Sequence, residues 1–301
     1  MNDDVYEAYI NAGRIAASAR DHGADIVKSG ASILDVVEKI EGKILENGAS
    51  LSFPVNISIN QVAAHFSPTH LDEELIFHKG DVVKIDVGSH IDGYIADTAR
   101  TVEVESNDYS DLIKASSEAL DNAISLVKDN CMISSIGKKI NDTIEKYNFK
   151  PVSNLTGHGL ERYSLHSGKS IPNVYEKFNM SKIKKDDVIA IEPFATNGAG
   201  YVNSGIGSNI YLCHNSVRSK IVRDNRFKNY HNKLRSKFKT LPFAERWTKN
   251  MFNNNKVILS RLTHLGLIKH YPQLIEAKNG IVSQKEHTVI VTDEGCEITT
   301  K

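Results

Sequence analysis

The sequence predicts an α+β protein of two half-domains related by an internal duplication, with a helical subdomain inserted late in the chain. Three observations carry that expectation. The string KGDVVKID (79–86) returns as KDDVIAIE (185–192), each a Lys-x-Asp turn leading into an apolar strand that ends on a carboxylate. Upstream, SILDVVEKIEGKILENG (32–48) resembles ISSIGKKINDTIEKYNF (133–149), and both place apolar residues at helical spacing. Between 231 and 274 the strand pattern gives way to helical periodicity. The expected division is therefore 1–210 plus 275–301 as the main domain and 211–274 as the insert.

The elements follow in order. Residues 3–29 read as a long helix whose Ala8, Ala12, Ala16 and Ala19 lie near one face and permit close packing. Ser29-Gly30 breaks it, and Ser32 can cap a second helix that ends at Asn47-Gly48. VNISI (55–59) alternates as a half-buried strand. VVKIDV (82–87) and YIAD (94–97) flank SHIDG as a hairpin, with Asp86 and Asp97 facing each other on its arms. A second helix pair covers 108–129 and 134–147. Short strands and loops then carry His158, His166 and Glu192, and HTVIV (287–291) closes the sheet.

Composition narrows the class. With 37 basic against 37 acidic residues, total charge indicates neither a nucleic-acid protein nor an acidic tail. Three cysteines, Cys131, Cys213 and Cys296, are widely spaced without a CxxC, which favours reduced thiols and a cytoplasmic setting over a disulfide framework. MNDDVYEAY lacks a signal-peptide pattern, and no apolar run approaches the roughly 18 residues of a membrane span. Charge is uneven along the chain: 218–249 holds 11 Lys and Arg against 2 Asp and Glu, a local +9. The simplest reading of that run is a solvated helical face.

The chemistry lies in five residues that end or interrupt short apolar runs: Asp86, Asp97, His158, Glu192 and Glu286. Singly each is weak, since an Asp in a hairpin is usually a turn residue. Together, four carboxylates and one imidazole suit a pair of hard or borderline divalent cations, and they read as a two-metal hydrolase site. A site on the axis relating the halves would receive one carboxylate from each, Asp86 and Glu192. Mn, Fe, Co and Zn would all tolerate this ligand set.

The surrounding strings resemble the methionine aminopeptidases, in the detail of the type 2 subfamily of archaea and eukaryotes. The matches are FPVNISINQVAAHFSP (53–68), the KIDVG…IADTAR hairpin, TGHGLERYSLHSGKSIP (156–172), AIEPFATNGAG (190–200) and SQKEHTVIV (283–291). Type 1 enzymes and proline-specific relatives typically carry a Glu after the second His of the GHG segment; here His166 precedes Ser167. The segment LPFAERW…LGLIKHYP (241–272) resembles the type 2 helical insert, and the first helix begins almost at Met1, as in archaeal-style minimal forms.

The resemblance implies the pita-bread fold and a cytoplasmic metalloprotease that removes the initiator methionine from nascent chains, preferring a small second residue. It implies that Asp97 and Glu286 bridge two metals, Asp86 binds mainly one, and His158 and Glu192 the other. A metal-bridging water or hydroxide would attack the first peptide bond, with Glu192 as general base. His65 would contact the scissile amide and His166 the oxyanion. Phe53, His65, Leu165 and His166 would line the methionine pocket, with Tyr271 at its mouth. The expected partners are nascent amino termini, with a ribosome contact through 218–249, no membrane, no DNA and a monomeric state. An inactive binding module of this fold would have lost ligands, and all five positions here hold competent residues.

Overall fold

The computed structural model describes residues 1–214 and 222–301. The first half runs α1 (Asp3–Ile26), α2 (Ile33–Glu46), β1 (Ser50–Leu51), β2 (Asn56–Ile59), β3 (Val62–Ala64), β4 (Val82–Ile91) and β5 (Tyr94–Glu103). The second runs α3 (Ser110–Ile124), α4 (Ile133–Lys146), β6 (Lys150–Pro151), β7 (Thr156–Glu161), β8 (Ser164–Pro172), β9 (Val188–Ile191) and β10 (Phe194–Thr196). Then come β11 (Val202–Cys213), α5 (Asn225–Phe238), β12 (Phe243–Ala244), a 3-10 turn (Arg246–Thr248), α6 (Asn255–His264) and β13 (Ile268–Glu276). β14 (Val282–Gln284), β15 (His287–Val291) and β16 (Cys296–Ile298) complete the chain.

The duplication holds down to single hydrogen bonds. Ile33 N–H reaches Leu75 O and Ile133 N–H reaches Ser181 O; Phe77 bonds Ala31 as Ile183 bonds Cys131. Gly80 and Asp186 take the same left-handed turn (φ 88° and 70°), and their N–H groups donate to Val104 O and Val291 O. β5 therefore corresponds to β15, not to the strand directly after β9. β4 pairs β5, and β9 pairs β15, both antiparallel. Each ladder buries one face under its own helix pair. Val36, Val37, Ile40 and Ile44 of α2 meet Ile57, Val83 and Ile85. Ile133, Ile136, Ile140 and Ile144 of α4 meet Ile189, Ile191, Val289 and Val291.

Local chemistry explains the helix ends. Asn2 caps α1 by accepting from Val5 N at 2.9 Å, and Ser32 caps α2 by accepting from Asp35 N at 3.4 Å. The alanine face of α1 packs Ala12 and Ala16 on Ala96. At Gly13 a Cβ would stand 2.2 Å from Thr299 O, so only glycine admits that approach. The third helix stops at Ile124, short of the expected 129, because the chain turns to place Asn130 N–H on Ile183 O.

Two expectations about strands change. The strand 287–291 is not the edge of its sheet: the order is β16-β15-β9-β7-β8, and β16 covers it. Asp86 and Asp97 are not directly opposite either. Asp86 pairs Ala99 and Asp97 pairs Gly88, so the two carboxylates share a face as diagonal neighbours. Between β11 and β13, residues Leu234, Phe243, Phe252, Leu259, Leu262 and Leu267 form a separate apolar cluster. β11 pairs β13 in a ladder with β12 and β3 on its flanks. Residues 218–221 of the basic run lie outside the described residues.

Candidate metal centre and its pocket

The two ladders meet along β5 and β15. Asp97 N–H donates to Thr288 Oγ1 and that hydroxyl donates to Asp97 O, both at 2.8 Å. Glu286 N–H donates to Ala99 O at 3.0 Å, and Thr98 Oγ1 donates to Glu286 O at 2.9 Å. Arg20 of α1 locks the seam from behind, donating to Thr98 Oγ1 at 2.6 Å and Thr300 O at 3.0 Å. These bonds bring Asp97 and Glu286 together although they lie far apart in sequence. His158, on β7, pairs with Ala190 of β9, two residues before Glu192. Its Nε2 lies 3.6 Å from Asp97 Oδ2 and 3.7 Å from Glu192 Oε1. One ligand atom from each of Asp97, His158 and Glu286 falls within 4.8 Å of the others, and all three residues are buried.

The electrostatics ask for a cation. Burial pushes Asp86 up to about 7, and burial with the charge of Asp86 holds Glu192 well above its usual range. Asp97 and Glu286 are raised well above theirs by burial and by neighbouring carboxylates. Asp86 Oδ1 and Asp97 Oδ1 are buried without a hydrogen-bond partner. Among the described residues, no Lys or Arg lines the cavity beside them. Orphaned carboxylate oxygens, clustered acids and one imidazole fit a divalent metal centre, since burying such charges without compensation is costly.

The histidines are held neutral. Burial, then the neighbouring His166, lowers His158 to about 3, and the same two causes lower His65 to about 4. His166 stands at the solvent-facing edge of the pocket, where crowding around its ring and the Lys269 ammonium lower it. Its ring meets His158 edge-on with centroids 4.5 Å apart, while His65 meets Tyr271 at 5.3 Å. His65 follows β3 with φ 65°, in the left-handed region that few non-glycine residues occupy.

One cavity of about 70 Å³ collects Phe53, His65, Asp86, Asp97, His158, Leu165, His166, Glu192, Tyr271 and Glu286. Asn56, Ala64, Ile210 and Pro242 line it too, and sequence reasoning did not single them out. A signal existed for Asn56. In VNISI the apolar residues face the core, so Asn56 takes the other face, and it pairs with Asp86 across β2–β4. Its Oδ1 is buried and unpartnered.

An acid-lined centre at the seam of two duplicated half-domains is the arrangement of a metal-dependent peptidase. Residues 7–293 match Metallopeptidase family M24, and the chain belongs to that family. Its full-length relatives include "Methionine aminopeptidase" of Methanocaldococcus jannaschii, 44% identical over 100% of both chains. The protein of that name from Archaeoglobus fulgidus is 45% identical, again over 100% of both. Among solved structures, methionine aminopeptidase from Rickettsia prowazekii superposes with a TM-score of 0.72 at 21% identity, covering 100% of this chain and 98% of that one. That likeness shows the shared pita-bread fold. The family implies use of divalent metal, for which Asp97, His158 and Glu286 form a ready group. Among the described residues, no helix is long and apolar enough to cross a membrane.

Proposed function

We propose that this chain is a methionyl aminopeptidase that removes the initiator methionine from newly made polypeptides, favouring a small second residue. The single observation that carries the reading is the cavity itself, where an apolar mouth meets four carboxylates and three neutral histidines. Asp86, Asp97, His158, Glu192 and Glu286 would together hold two divalent cations (Co, Mn, Fe or Zn). When bound, such a pair supplies Lewis acidity and neutralises the clustered carboxylates. Glu192 takes the proton of the attacking water as general base. His166 donates to the oxygen that gains charge, and His65 contacts the scissile amide nitrogen. Phe53, Leu165 and Tyr271 enclose the unbranched thioether side chain. The free α-amino group of the substrate would coordinate a metal or meet the acidic cluster, which would confine cleavage to chain termini.

The division into a catalytic domain (1–210 plus 275–301) and an insert (211–274) belongs to the same reading, as do a cytoplasmic location and a monomeric state. The basic run 218–249 adds a ribosome contact, motivated by Lys233, Arg235 and Lys237 on α5. Charge reversal there with Lys239 should abolish salt-sensitive co-sedimentation with ribosomes while tripeptide hydrolysis stays unchanged. Equal sedimentation of wild type and variant at low salt removes that contact.

The main test is release of methionine from Met-Gly-Met-Met by metal-stripped protein, repeated after adding each metal. Activity should return with at least one of Co, Mn, Fe and Zn. Cleavage of Ala-Pro-Gly in its place would identify a proline-specific enzyme and overturn the assignment.

A further inference from the structure

One buried ion pair joins the inserted segment to the wall that carries Phe53 and His65. Arg246, in the 3-10 turn, and Glu41, in α2, are 8% and 6% exposed. Arg246 Nη2 donates to Glu41 Oε1. The other carboxylate oxygen accepts from Trp247 Nε1 at 3.0 Å, and Oε1 also accepts from Val55 N at 3.2 Å. The second guanidinium nitrogen, Nη1, donates to Ser67 Oγ at 2.8 Å and Pro68 O at 3.1 Å. Ser67 Oγ in turn donates to Val55 O at 2.8 Å. Ser67 N–H reaches Ser208 O at 3.1 Å, and Ser208 Oγ donates to Tyr271 O at 2.7 Å.

Apart from α2, which contributes Glu41, every segment in this network carries a residue of the pocket. Val55 is two residues from Phe53, Ser67 is two from His65, Arg246 is four from Pro242, and Tyr271 faces the His65 ring. The planar guanidinium suits the task because its fork reaches a carboxylate with one nitrogen and a hydroxyl and carbonyl with the other. A left-handed backbone at a non-glycine residue persists only where the surroundings over-determine it, and His65 has that backbone.

We propose that Glu41 and Arg246 are a positioning pair: through Ser67 and Pro68 they hold His65 in its left-handed turn, and through Val55 they set Phe53. The inserted segment thereby fixes catalytic geometry as well as walling the pocket. This rests on the placement of His65 at the scissile amide argued above.

The test separates position from stability. Removing one partner of a buried ion pair destabilises a fold, whereas replacing both by apolar residues of similar volume often restores it. Arg246→Met should lower kcat by about 100-fold, the size expected from a misplacement of about 1 Å, with KM for Met-Gly-Met-Met changed only a few-fold. The double variant Glu41→Met with Arg246→Met should regain the wild-type melting temperature and metal content yet stay slow. Recovery of kcat together with stability overturns the proposal. Should the double variant not fold, Arg246→Lys decides, because it keeps the charge and loses the fork. It should fold and be slow, and a wild-type kcat sinks the idea. His65→Ala is the control. Wild-type turnover by that variant removes His65 from the mechanism and with it the reading beneath this inference. A slow His65→Ala beside a fast double variant refutes the positioning pair alone. With His65→Ala combined, the double substitution should cost far less kcat than it does alone, since only the part acting through Phe53 remains. Multiplying losses would overturn it.

Discussion

The β4–β5 and β9–β15 ladders have the same pairing and nearly opposite connections. β4 turns into β5 through Asp92-Gly93, both at positive φ (51° and 90°), the tight hairpin turn that matches strand twist. β9 reaches β15 only after five more strands and two helices. The ladder, not the connection, is therefore the inherited unit. Closure entropy grows slowly with loop length, so a long excursion between paired strands is thermodynamically tolerable. The ladders also place their acids differently. Asp86 matches Glu192, but the counterpart of Asp97 is Gln284, which pairs with Phe194 as Asp97 pairs with Gly88. The counterpart of Glu286 is Ala99, which accepts its N–H. Each half thus supplies two carboxylates, diagonal in the first and set for direct opposition in the second.

The most severe break falls on the seam. Asp97→Ala or Glu286→Ala should lose at least one metal and nearly all activity, measured by elemental analysis of dialysed protein and methionine release. Retention of two tightly bound metals by either would contradict the ligand assignment. Next come the matched cores. Ile40 and Ile140 are both fully buried at corresponding helix positions, so each Ala substitution should cost roughly 2–5 kcal/mol, and the two costs should agree. Denaturant unfolding reads both, and a large disparity would show that the halves carry unequal shares of stability. A smaller effect lies at Gln284, whose Nε2 donates to Glu192 Oε2 at 3.3 Å. Gln284→Ala should lower kcat by about tenfold, since partners that orient a metal ligand typically contribute 10–100-fold. An unchanged rate would leave that bond without a role. The smallest concerns the caps. Ser32 caps α2, while Met132 at the matching place on α4 offers no side-chain bond. Ser32→Ala should cost about 0.5 kcal/mol, the low end for a cap, because its bond is long.

The duplication, both helix pairs and the acids were legible because each motif is local. An apolar run ending on a carboxylate announces a strand and its terminus together. What escaped notice depends on contacts remote in sequence. The diagonal setting of Asp86 and Asp97 follows from a two-residue turn and its register, which a run of apolar residues does not specify. β16 is only three residues long, so its pattern is too short to read. Pro242 reaches the pocket only through the fold of the insert, and Ile210 reaches it from β11, where it pairs with Ala244. The Glu41–Arg246 pair spans 205 residues, and nothing local distinguishes either residue from an ordinary surface charge on a helix.

The way α1 is pinned has a consequence for timing. Arg20 is tied to Thr300, 280 residues away, and Gly13 lies against Thr299. At synthesis rates of about 5–20 residues per second, the first helix waits roughly 14–56 seconds for its partner to be made. During that interval its alanine face lacks its final cover, and the seam between Asp97 and Glu286 cannot close because β15 does not yet exist. A growing copy of this chain therefore carries no assembled centre, and its chemistry switches on only once translation has passed the last strand.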